Sequence, residues 1–528
     1  MRVVFRTDSG LLMGSGHLMR CLTLANELRS RGAKVIFISR EYTGHIIHKL
    51  EEAGYLVHRL SAPQQETLTP TDNYATWLGI SMLEDALETL TLLHEYLPDW
   101  LVVDHYGLDI NWEANIRSVV NRIFVIDDIA NRNHDCDLLL DQNYFGKNNG
   151  SRYINKVSDA CICLFGPRYA LLQPEYYELH SKIQTHIGQL RRVLIFFGGS
   201  DPHDQTSKVI LALNSPELAH VAIDVVIGVN HPDPGGVSNL VSKRPNAILY
   251  DNLPSLASLM MNVDLVIGAG GTTTWERMCL GLPSLVISIS ENQQEFTHAL
   301  SVDNYQISLS SGKWTTSTDW QQAIYKIMKQ PALLKQVAKN AQSLVDGLGS
   351  KRVSRVLFGS KNFELTIRQA ELSDEQLLFD WVNDPEVRRQ SFQQESIDIN
   401  QHSEWYARKL ADTECLILIG EDEAGLPIGQ VRFEMNTKLA EAIIGISIDT
   451  LVRGMGFSQV LLTKAIEYWF KIKPTFKLIA EVRIDNLRSE KLFTRLDFTP
   501  THSKRAGAKR FEFLPRVINR SMSTEDSI

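Results

Sequence analysis

A histidine follows a glycine-rich turn near the start of the chain. The segment GLLMGSGHLMRC, residues 10–21, comes after a short apolar segment, RVVFRTD, and leads into a helical stretch. Gly14 and Gly16 favour a tight turn, and His17 falls where the helix begins. Backbone N–H groups at a helix N-terminus hold anions, and a neutral imidazole there can accept a proton. The segment indicates a phosphate-binding turn that also presents a base, or a histidine that only caps the helix.

Two more glycine-rich turns follow apolar segments later in the chain. One is FFGGSDPHD, which contains Gly199 and Ser200, and the other is GAGGTTTWERMC, which begins at Gly268. A strand, a glycine turn and a helix N-terminus together offer backbone donors and a positive dipole end to an anion. Glu276 falls in the first helical turn after the second loop, where a carboxylate binds sugar hydroxyls or simply stabilises the helix. The two turns predict a nucleotide-linked substrate.

The elements around these turns alternate between apolar strands and amphipathic helices. Segments such as KVIFISR and DWLVVDHY are rich in β-branched and aromatic residues, as expected for strands buried on both faces. This alternation predicts two Rossmann-like α/β domains that face each other across a cleft. Beyond residue 360 the strands include hairpin-like neighbours, which predicts an α+β domain. The predicted domains are 1–185, 191–359 and 363–514, followed by a polar tail, 515–528.

Composition limits the classes of partner and compartment. The 528 residues include 54 Lys and Arg against 62 Asp and Glu, a formal net charge of −8, which argues against nucleic acid and anionic membranes as partners. A basic stretch, HSKRAGAKR, is the exception and could meet an anionic ligand. We find no apolar run of about 18 residues and no leader segment, so we expect a cytoplasmic protein. The six cysteines are scattered, which indicates reduced thiols rather than a metal site.

The first 355 residues resemble known sugar-nucleotide enzymes. The segment GAGGTTTWERMCLGLPSLVISISENQQ is similar to the nucleotide-binding half of GT-B glycosyltransferases that use UDP-sugars. The opening segment, with VVDHYGLD and IDDIANRNHDCDLLLDQN, resembles more narrowly the UDP-sugar hydrolases of pseudaminic acid biosynthesis. That family releases UDP from UDP-2,4-diacetamido-2,4,6-trideoxy-β-L-altropyranose. The resemblance implies inversion at the anomeric carbon, with no metal required.

The resemblance implies a role for His17, and the ends of the predicted strands supply further candidates. His17 would be the base that activates water, with Tyr106 and His105 orienting the water or the substrate amides. Asp104, His105 and Tyr106 end a predicted buried strand and should reach the cleft, and packing beside the site is the alternative for them. Asp127 and Asp128 are expected as loop caps or supports for His17. The residues expected to bind the UDP-sugar are Gly14, Gly16, Arg20, Gly199, Ser200, Gly270, Gly271, Thr272, Thr273, Glu276, Asn292 and Gln293.

A second resemblance covers about residues 363–514. The loop RGMGFS follows a predicted strand and precedes an amphipathic helix, and NLRSEKLFTRLDF follows later. Both are similar to motifs of GNAT-family N-acetyltransferases, whose loop amides hold the pyrophosphate of acetyl-CoA. Acetyl-CoA is therefore the expected co-substrate. The residues expected to bind it are Arg453, Gly454, Met455, Gly456, Phe457, Ser458, Asn486 and Ser489.

Two positions depart from the GNAT pattern. Phe493 stands where many members have the tyrosine that protonates the leaving thiolate, and Asp497 replaces a glycine. The general acid is therefore water or another side chain. The general base is not assigned by the sequence, and Glu434, Glu441 and Glu481 are the candidates near predicted strands.

The two resemblances imply consecutive steps of one pathway. A GNAT-type domain would acetylate the 4-amino group of a UDP-4-amino-4,6-dideoxy sugar, and the GT-B-type region would then hydrolyse the UDP-diacetamido product. The expected partners are a UDP-linked amino sugar, acetyl-CoA and other enzymes of the pathway. The alternatives are a glycosyltransferase that uses another acceptor, a non-catalytic sugar-nucleotide scaffold, and acetylation of a different amino sugar.

Overall fold

A computed structural model describes the chain except for residues 65, 67–72, 181, 183–189, 252, 310–314, 360–364, 423–424, 454–455 and 515–528. The chain forms two compact units, residues 1–354 and 355–528. The first unit contains two parallel sheets, and the second contains one mixed sheet. The predicted fold class, two Rossmann-like domains followed by an α+β domain, is confirmed. None of the helices in the described part is long and apolar enough to cross a membrane.

The first sheet has seven parallel strands in the order β3-β2-β1-β4-β5-β6-β7. Its strands are β1 Arg2–Thr7, β2 Lys34–Arg40, β3 Leu56–Leu60, β4 Trp100–Asp104, β5 Ile123–Ile126, β6 Leu138–Asp141 and β7 Ile162–Phe165. The helices of this region are α1 Gly16–Ser30, α2 His48–Glu52, α3 Met82–Tyr96, α4 Ile110–Ile116 and α5 Pro174–His180. The strand order reverses between β1 and β4. Ligands of such sheets bind at this switch point, where the loops after β1 and β4 meet.

The second sheet has six parallel strands in the order β10-β9-β8-β11-β12-β13. Its strands are β8 Arg192–Phe196, β9 Ala222–Ile227, β10 Ala247–Asp251, β11 Leu265–Ala269, β12 Ser284–Ile287 and β13 Ile307–Ser308. The helices are α6 Gln205–Leu213, α7 Pro234–Ser242, α8 Ala257–Met260, α9 Thr273–Cys279, α10 Gln294–Val302, α11 Ser317–Met328, α12 Pro331–Leu344 and α13 Gly349–Phe358. The reversal lies between β8 and β11, so the two glycine-rich turns are neighbours.

The second unit has a seven-stranded sheet in the order β14-β15-β16-β17-β18-β20-β19. Its strands are β14 Leu365–Gln369, β15 Cys415–Asp422, β16 Pro427–Asn436, β17 Glu441–Ile448, β18 Lys477–Arg483, β19 Thr499–Thr501 and β20 Ala508–Phe513. The helices are α14 Glu375–Asn383, α15 Pro385–Gln390, α16 Ile399–Ala411, α17 Phe457–Ile472 and α18 Leu487–Arg495. Helix α17 buries its apolar face on the sheet, where Trp469 stacks on Phe433 at 4.5 Å between ring centroids.

Several strands are additional to the sequence prediction. β6 and β7 have four residues each, β13 has two and β19 has three, so their apolar periodicity is short. Strand β20 is also additional. It begins inside the basic stretch HSKRAGAKR and extends past its end, whereas the sequence indicated only contact with an anionic ligand there. The predicted boundaries at residues 185 and 363, and the predicted tail, lie outside the described residues.

Candidate functional site

The loops at the first switch point bring His17 and Asp104 together. Helix α1 begins at Gly16, and the Ser15 side chain makes no capping hydrogen bond. The imidazole is buried, and its Nδ1 lies 2.6 Å from Oδ1 of Asp104, the last residue of β4. A carboxylate at this distance accepts the Nδ1 proton, which leaves the Nε2 lone pair to take a proton. The sequence did not predict this hydrogen bond between Asp104 and His17.

Arg20 holds the same carboxylate from one helical turn further along α1. Its Nε donates to Oδ2 of Asp104 at 2.6 Å and its Nη2 to Oδ1 at 2.7 Å, while Nη1 donates to Asp128 at 2.8 Å. Burial opposes ionisation of Asp104, but Arg20 and His17 outweigh it and hold the pKa of this carboxyl well below its usual range. The guanidinium expected to contact substrate therefore lies beneath the histidine, paired with two carboxylates.

Tyr106 lies beside the histidine ring and reaches the other half of the unit. Its ring packs edge-on against His17, with 4.4 Å between centroids, and its hydroxyl donates to Oδ1 of Asp128 at 2.5 Å. The Asn292 side-chain amide, from the loop after β12, donates to the same hydroxyl oxygen at 3.3 Å. Burial and the Asp128 carboxylate raise the pKa of Tyr106 well above its usual range, so the phenol stays neutral.

His105 faces a different set of groups from Tyr106. Its Nδ1 accepts a hydrogen bond from the Gly107 backbone, and its Nε2 lies 3.6 Å from Oδ2 of Asp8. Burial lowers the pKa of His105 to about 4 despite the nearby Asp8 carboxylate. The ring is neutral near pH 7. These contacts place His105 in the packing behind the switch point.

Paired charges also hold the loop that carries Asp128. Burial opposes ionisation of Asp127, but Arg132 and His134 hold the pKa of Asp127 well below its usual range. Arg132 Nη1 lies 3.1 Å from Oδ1 of Asp127, and the backbone N–H of Ala130 donates to Oδ2 at 3.1 Å. Asp127 is thus the cap and anchor of this loop. Asp128 instead accepts hydrogen bonds from Arg20 and Tyr106.

The glycine turns of the second sheet approach the turn before α1. A Cβ placed on Gly16 would lie 3.5 Å from Cγ2 of Thr272, and one placed on Gly199 would lie 3.3 Å from Oγ of Ser15. Gly14 has a φ of +71°, which an L side chain rarely adopts. Helix α9 begins directly after Thr272, and this residue makes no side-chain capping bond. The structure therefore brings the predicted turns together around one cleft.

Helix α9, which follows the third turn, carries a half-buried acid, Glu276, next to a buried base, Arg277. Burial raises the pKa of Glu276 to about 7, while the Tyr176 hydroxyl and Arg277 act in the opposite direction. Burial lowers the pKa of Arg277 to about 10, so it remains a cation near neutrality. Its Nη1 donates to the Ala269 carbonyl at 3.1 Å and its Nη2 to the Thr274 hydroxyl at 2.9 Å. Sequence analysis missed this positive charge behind the loop, although the Glu–Arg pair was visible in TTTWERMC.

The remaining predicted substrate residues line the same loops. Gly270 is buried, and Gly271, Thr273 and Ser200 are half-buried. A Cβ on Gly270 would lie 2.3 Å from Oγ1 of Thr297, so this position accommodates only glycine without rearrangement. Gln293 Oε1 accepts the Ile289 N–H at 3.1 Å, which fixes the loop after β12.

One group among the described residues has the geometry of a cation site. Ligand atoms of Asp201, Asp204 and His231 lie within 4.8 Å of one another. However, His231 Nδ1 accepts the Asp233 N–H at 3.1 Å, so Nε2 carries the ring proton and faces both carboxylates at 3.6 Å. A metal would need a lone pair at Nε2, so this tautomer favours a link between the loops after β8 and β9.

In the second unit, the predicted acetyl-CoA loop joins β17 to α17. Gly456, the residue before α17, has a φ of +87° and offers no side chain that could cap the helix, which leaves the first N–H groups of α17 to an anion. Arg453 donates to Asp384 at 2.7 Å and to the Ile448 carbonyl at 3.1 Å. Phe457 is buried and Ser458 is half-buried, whereas Gly454 and Met455 lie outside the described residues.

The later GNAT-like motif forms the start of α18. Oδ1 of Asn486 accepts the Ser489 N–H at 3.0 Å, so the two residues form a helix N-cap. Phe493 is buried, and its ring packs against Phe498 and Phe511. These contacts give Phe493 a place in the apolar core of the unit.

Strands β17 and β18 pair over only part of their length. Their pairing runs from Glu441 opposite Lys477 to Ile443 opposite Ile479, although β17 continues to Ile448 and β18 to Arg483. Glu481 lies two residues past the end of this pairing. Arg505 and Arg510 each approach its carboxylate only to 4.0 Å. The opening between the strands thus has a loosely paired carboxylate on one side.

The other two candidate bases are held in closer ion pairs. Glu441 lies at the closed end of the strand pair, 2.9 Å from Lys477. Glu434 is on β16, 3.0 Å from Lys409. Lysine ammonium groups occupy the carboxylate oxygens of these two residues at 3.0 Å or less, whereas Glu481 has no charged partner closer than 4.0 Å among the described residues, so the geometry separates Glu481 from them.

Two protein families match parts of the chain. Residues 193–352 match the glycosyltransferase family 28 C-terminal domain, and residues 364–499 match the acetyltransferase (GNAT) domain. The chain thus combines a region of the glycosyltransferase family 28 C-terminal type with a region of the GNAT acetyltransferase type.

One relative matches nearly the whole chain, and a second matches more than half of it. An uncharacterized protein of Methanocaldococcus jannaschii is 25% identical over 96% of this chain and 98% of its own length. A Campylobacter jejuni protein named UDP-2,4-diacetamido-2,4,6-trideoxy-β-L-altropyranose hydrolase is 24% identical over 58% of this chain and 98% of its own length. The predicted resemblance to that hydrolase family is confirmed. Among solved structures, Acinetobacter baumannii MurG is 12% identical, with a TM-score of 0.46 over 68% of this chain and 99% of its own.

Proposed function

We propose that the chain catalyses two consecutive steps on one UDP-linked amino sugar. The GNAT domain transfers the acetyl group of acetyl-CoA to the 4-amino group of a UDP-4-amino-4,6-dideoxy sugar. The GT-B-type unit then hydrolyses UDP-2,4-diacetamido-2,4,6-trideoxy-β-L-altropyranose to UDP and the free sugar. The observation that carries the hydrolase proposal is the contact of 2.6 Å between His17 Nδ1 and Asp104, opposite the glycine turn before α9.

The hydrolytic step needs a base and a stabilised leaving group. His17 Nε2 takes a proton from water as the water oxygen bonds to the anomeric carbon from the face opposite UDP. The bond from that carbon to the β-phosphate oxygen breaks, and UDP leaves with the electron pair. Asp104 stabilises the imidazolium that forms, and the neutral Tyr106 hydroxyl orients the water or a substrate amide.

The leaving group is held by the second sheet. The backbone N–H groups of the turn from Gly270 to Thr273, at the start of α9, bind the diphosphate in this proposal. Arg277 adds a buried positive charge behind that turn. Glu276 binds the ribose hydroxyls in this proposal, and Gly199, Ser200, Asn292 and Gln293 face the diphosphate and sugar.

The acetyl transfer is assigned to the opening between β17 and β18. Glu481 takes a proton from the substrate amine as the amine nitrogen bonds to the thioester carbonyl carbon. The bond from carbon to sulfur then breaks, and the CoA thiolate takes a proton. Residue 493 is a phenylalanine in the core, so that proton comes from water or another side chain.

The test follows CoA release and UDP release separately, with acetyl-CoA and UDP-4-amino-4,6-dideoxy-N-acetyl-β-L-altrosamine as substrates. We expect wild type to release both, and His17→Ala to release CoA and accumulate the acetylated UDP-sugar. Release of CoA by wild type without any UDP would overturn the hydrolase proposal.

The family 28 match also favours a second candidate, transfer of the sugar to an acceptor other than water. His17 could then deprotonate an acceptor hydroxyl. Free reducing sugar formed without any added acceptor supports hydrolysis, whereas UDP release that appears only with an acceptor supports transfer.

A further inference from the structure

An aromatic cluster extends from the histidine into a separate turn of the first unit. A 3₁₀ turn, Tyr74–Leu78, precedes α3 and carries Tyr74 and Trp77. Tyr74 packs edge-on against Tyr106 at 5.1 Å between centroids, and Trp77 lies 5.8 Å from the same ring. Tyr106 in turn packs against His17 at 4.4 Å. Both rings are therefore one ring contact away from the proposed base.

The turn is anchored firmly to the sheet. The Tyr42 hydroxyl donates to the Leu78 carbonyl at 2.9 Å. A Cβ on Gly107 would lie 3.0 Å from the Tyr74 carbonyl oxygen, so the turn packs directly on the loop after β4. Tyr74 and Trp77 also contact each other edge-on at 4.9 Å. Rings held from several sides lose little further freedom when a ligand packs on them.

The three rings differ in how much of their surface is exposed to solvent. Tyr106 is buried, whereas Tyr74 and Trp77 are half-buried. Tyr106 also contacts Asn292 from the opposite half of the unit, so the cluster borders the cleft where the loops of both sheets meet. Half-buried aromatic rings beside a polar site provide an apolar wall for part of a ligand.

We propose that Tyr74 and Trp77 form an apolar wall for the sugar ring, which selects sugars with a methyl group at C5 over sugars with a hydroxymethyl group. The inference rests on the proposed function, because it takes the sugar to lie beside His17. A methyl group against an aromatic ring gains apolar contact, whereas a hydroxymethyl group must lose hydration of its hydroxyl there. Both residues are specificity-determining in this proposal, and neither transfers a proton.

The test measures binding in a His17→Ala background, so that bound UDP-sugar is not consumed. The ligands are UDP-2,4-diacetamido-2,4,6-trideoxy-β-L-altropyranose, UDP-N-acetylglucosamine and UDP alone, titrated by calorimetry. We expect Trp77→Leu and Tyr74→Leu each to weaken binding of the trideoxy ligand by about tenfold, the effect of about 1.4 kcal/mol. Binding of UDP should change less than about twofold, and Trp77→Phe should restore most of the lost affinity.

Tyr96→Leu is the matched control, because Tyr96 is a half-buried tyrosine of the same region that contacts His58. The inference is wrong if the Leu variants bind the trideoxy ligand as the parent does, or weaken UDP by the same factor. It is also wrong if the parent does not prefer the trideoxy ligand over UDP-N-acetylglucosamine. Wild type that binds with this pattern but releases no UDP would retain the wall and overturn only the hydrolase proposal.

Discussion

Asp104 lies beneath His17 as a hydrogen-bond partner rather than beside it as a second cleft residue. Its two oxygens are shared between the imidazole, at 2.6 Å, and the Arg20 guanidinium, at 2.6 and 2.7 Å. The carboxylate therefore sets both the orientation of the ring and the nitrogen that faces away from it.

Asp104→Asn should slow UDP release strongly. An amide in this place can donate to Nδ1, which favours the tautomer with its proton on Nε2 and removes the base. We expect kcat for UDP release to fall about 10²–10⁴-fold. CoA release by the same preparation serves as the internal control and should not change. An Asn variant with wild-type UDP release would show that Asp104 does not set the state of His17.

Gly228→Ala should disturb the turn that contains Gly199. The new Cβ would lie 2.3 Å from the Gly199 carbonyl oxygen, a contact that requires backbone movement. We expect a loss of about 1–3 kcal/mol of unfolding free energy and weaker UDP binding. Gly235→Ala is the matched control, because its nearest neighbour atom would be 3.8 Å away. Denaturant unfolding and UDP titration check both, and equal effects at the two glycines would contradict the prediction.

Glu276→Gln should change the pH dependence of stability in a defined direction. Burial raises the pKa of Glu276 from 4.5 to about 7, so the folded chain binds a proton more readily than the unfolded chain. Unfolding free energy from this group therefore falls as pH rises from about 4.5 to about 7. Because Gln does not ionise, the Tm of the variant relative to wild type should increase between pH 5 and pH 8. A constant difference across that range would exclude the raised pKa.

Glu481→Gln should slow acetyl transfer without affecting hydrolysis. We expect CoA release to fall about 10²–10⁴-fold, the usual contribution of a general base. UDP release from the chemically acetylated substrate should match wild type. Glu434→Gln and Glu441→Gln are the matched controls, since both carboxylates are held by lysines at 3.0 and 2.9 Å. A larger loss in either control than in Glu481→Gln would reassign the base.

The sequence predicted the main strands and turns because their signals are local. The glycine turn at 14–16, the apolar run before it and the helix after it lie within one short stretch, and the same holds for Gly270 and α9. Short strands such as β6 and β7 carry too few residues for a clear period, so they appeared only in the structure. The sequence predicted Asn486 as a ligand-binding residue from its motif, and the structure also gives it a local role as the N-cap of α18.

By itself, the sequence determined the types of element and the chemistry available at each strand end. Only the tertiary structure decided which of those groups meet. His17 and Asp104 are 87 residues apart, and Asn292 and Tyr106 are 186 apart. The first pair forms because the parallel strands of one sheet gather their carboxyl ends at one edge, whatever the length of chain between them. The second pair joins the loops of two different sheets, so it depends on how those sheets pack against each other. The burial of Arg277 behind its loop and the opening beside Glu481 likewise depend on how whole elements pack, which no single stretch of residues specifies.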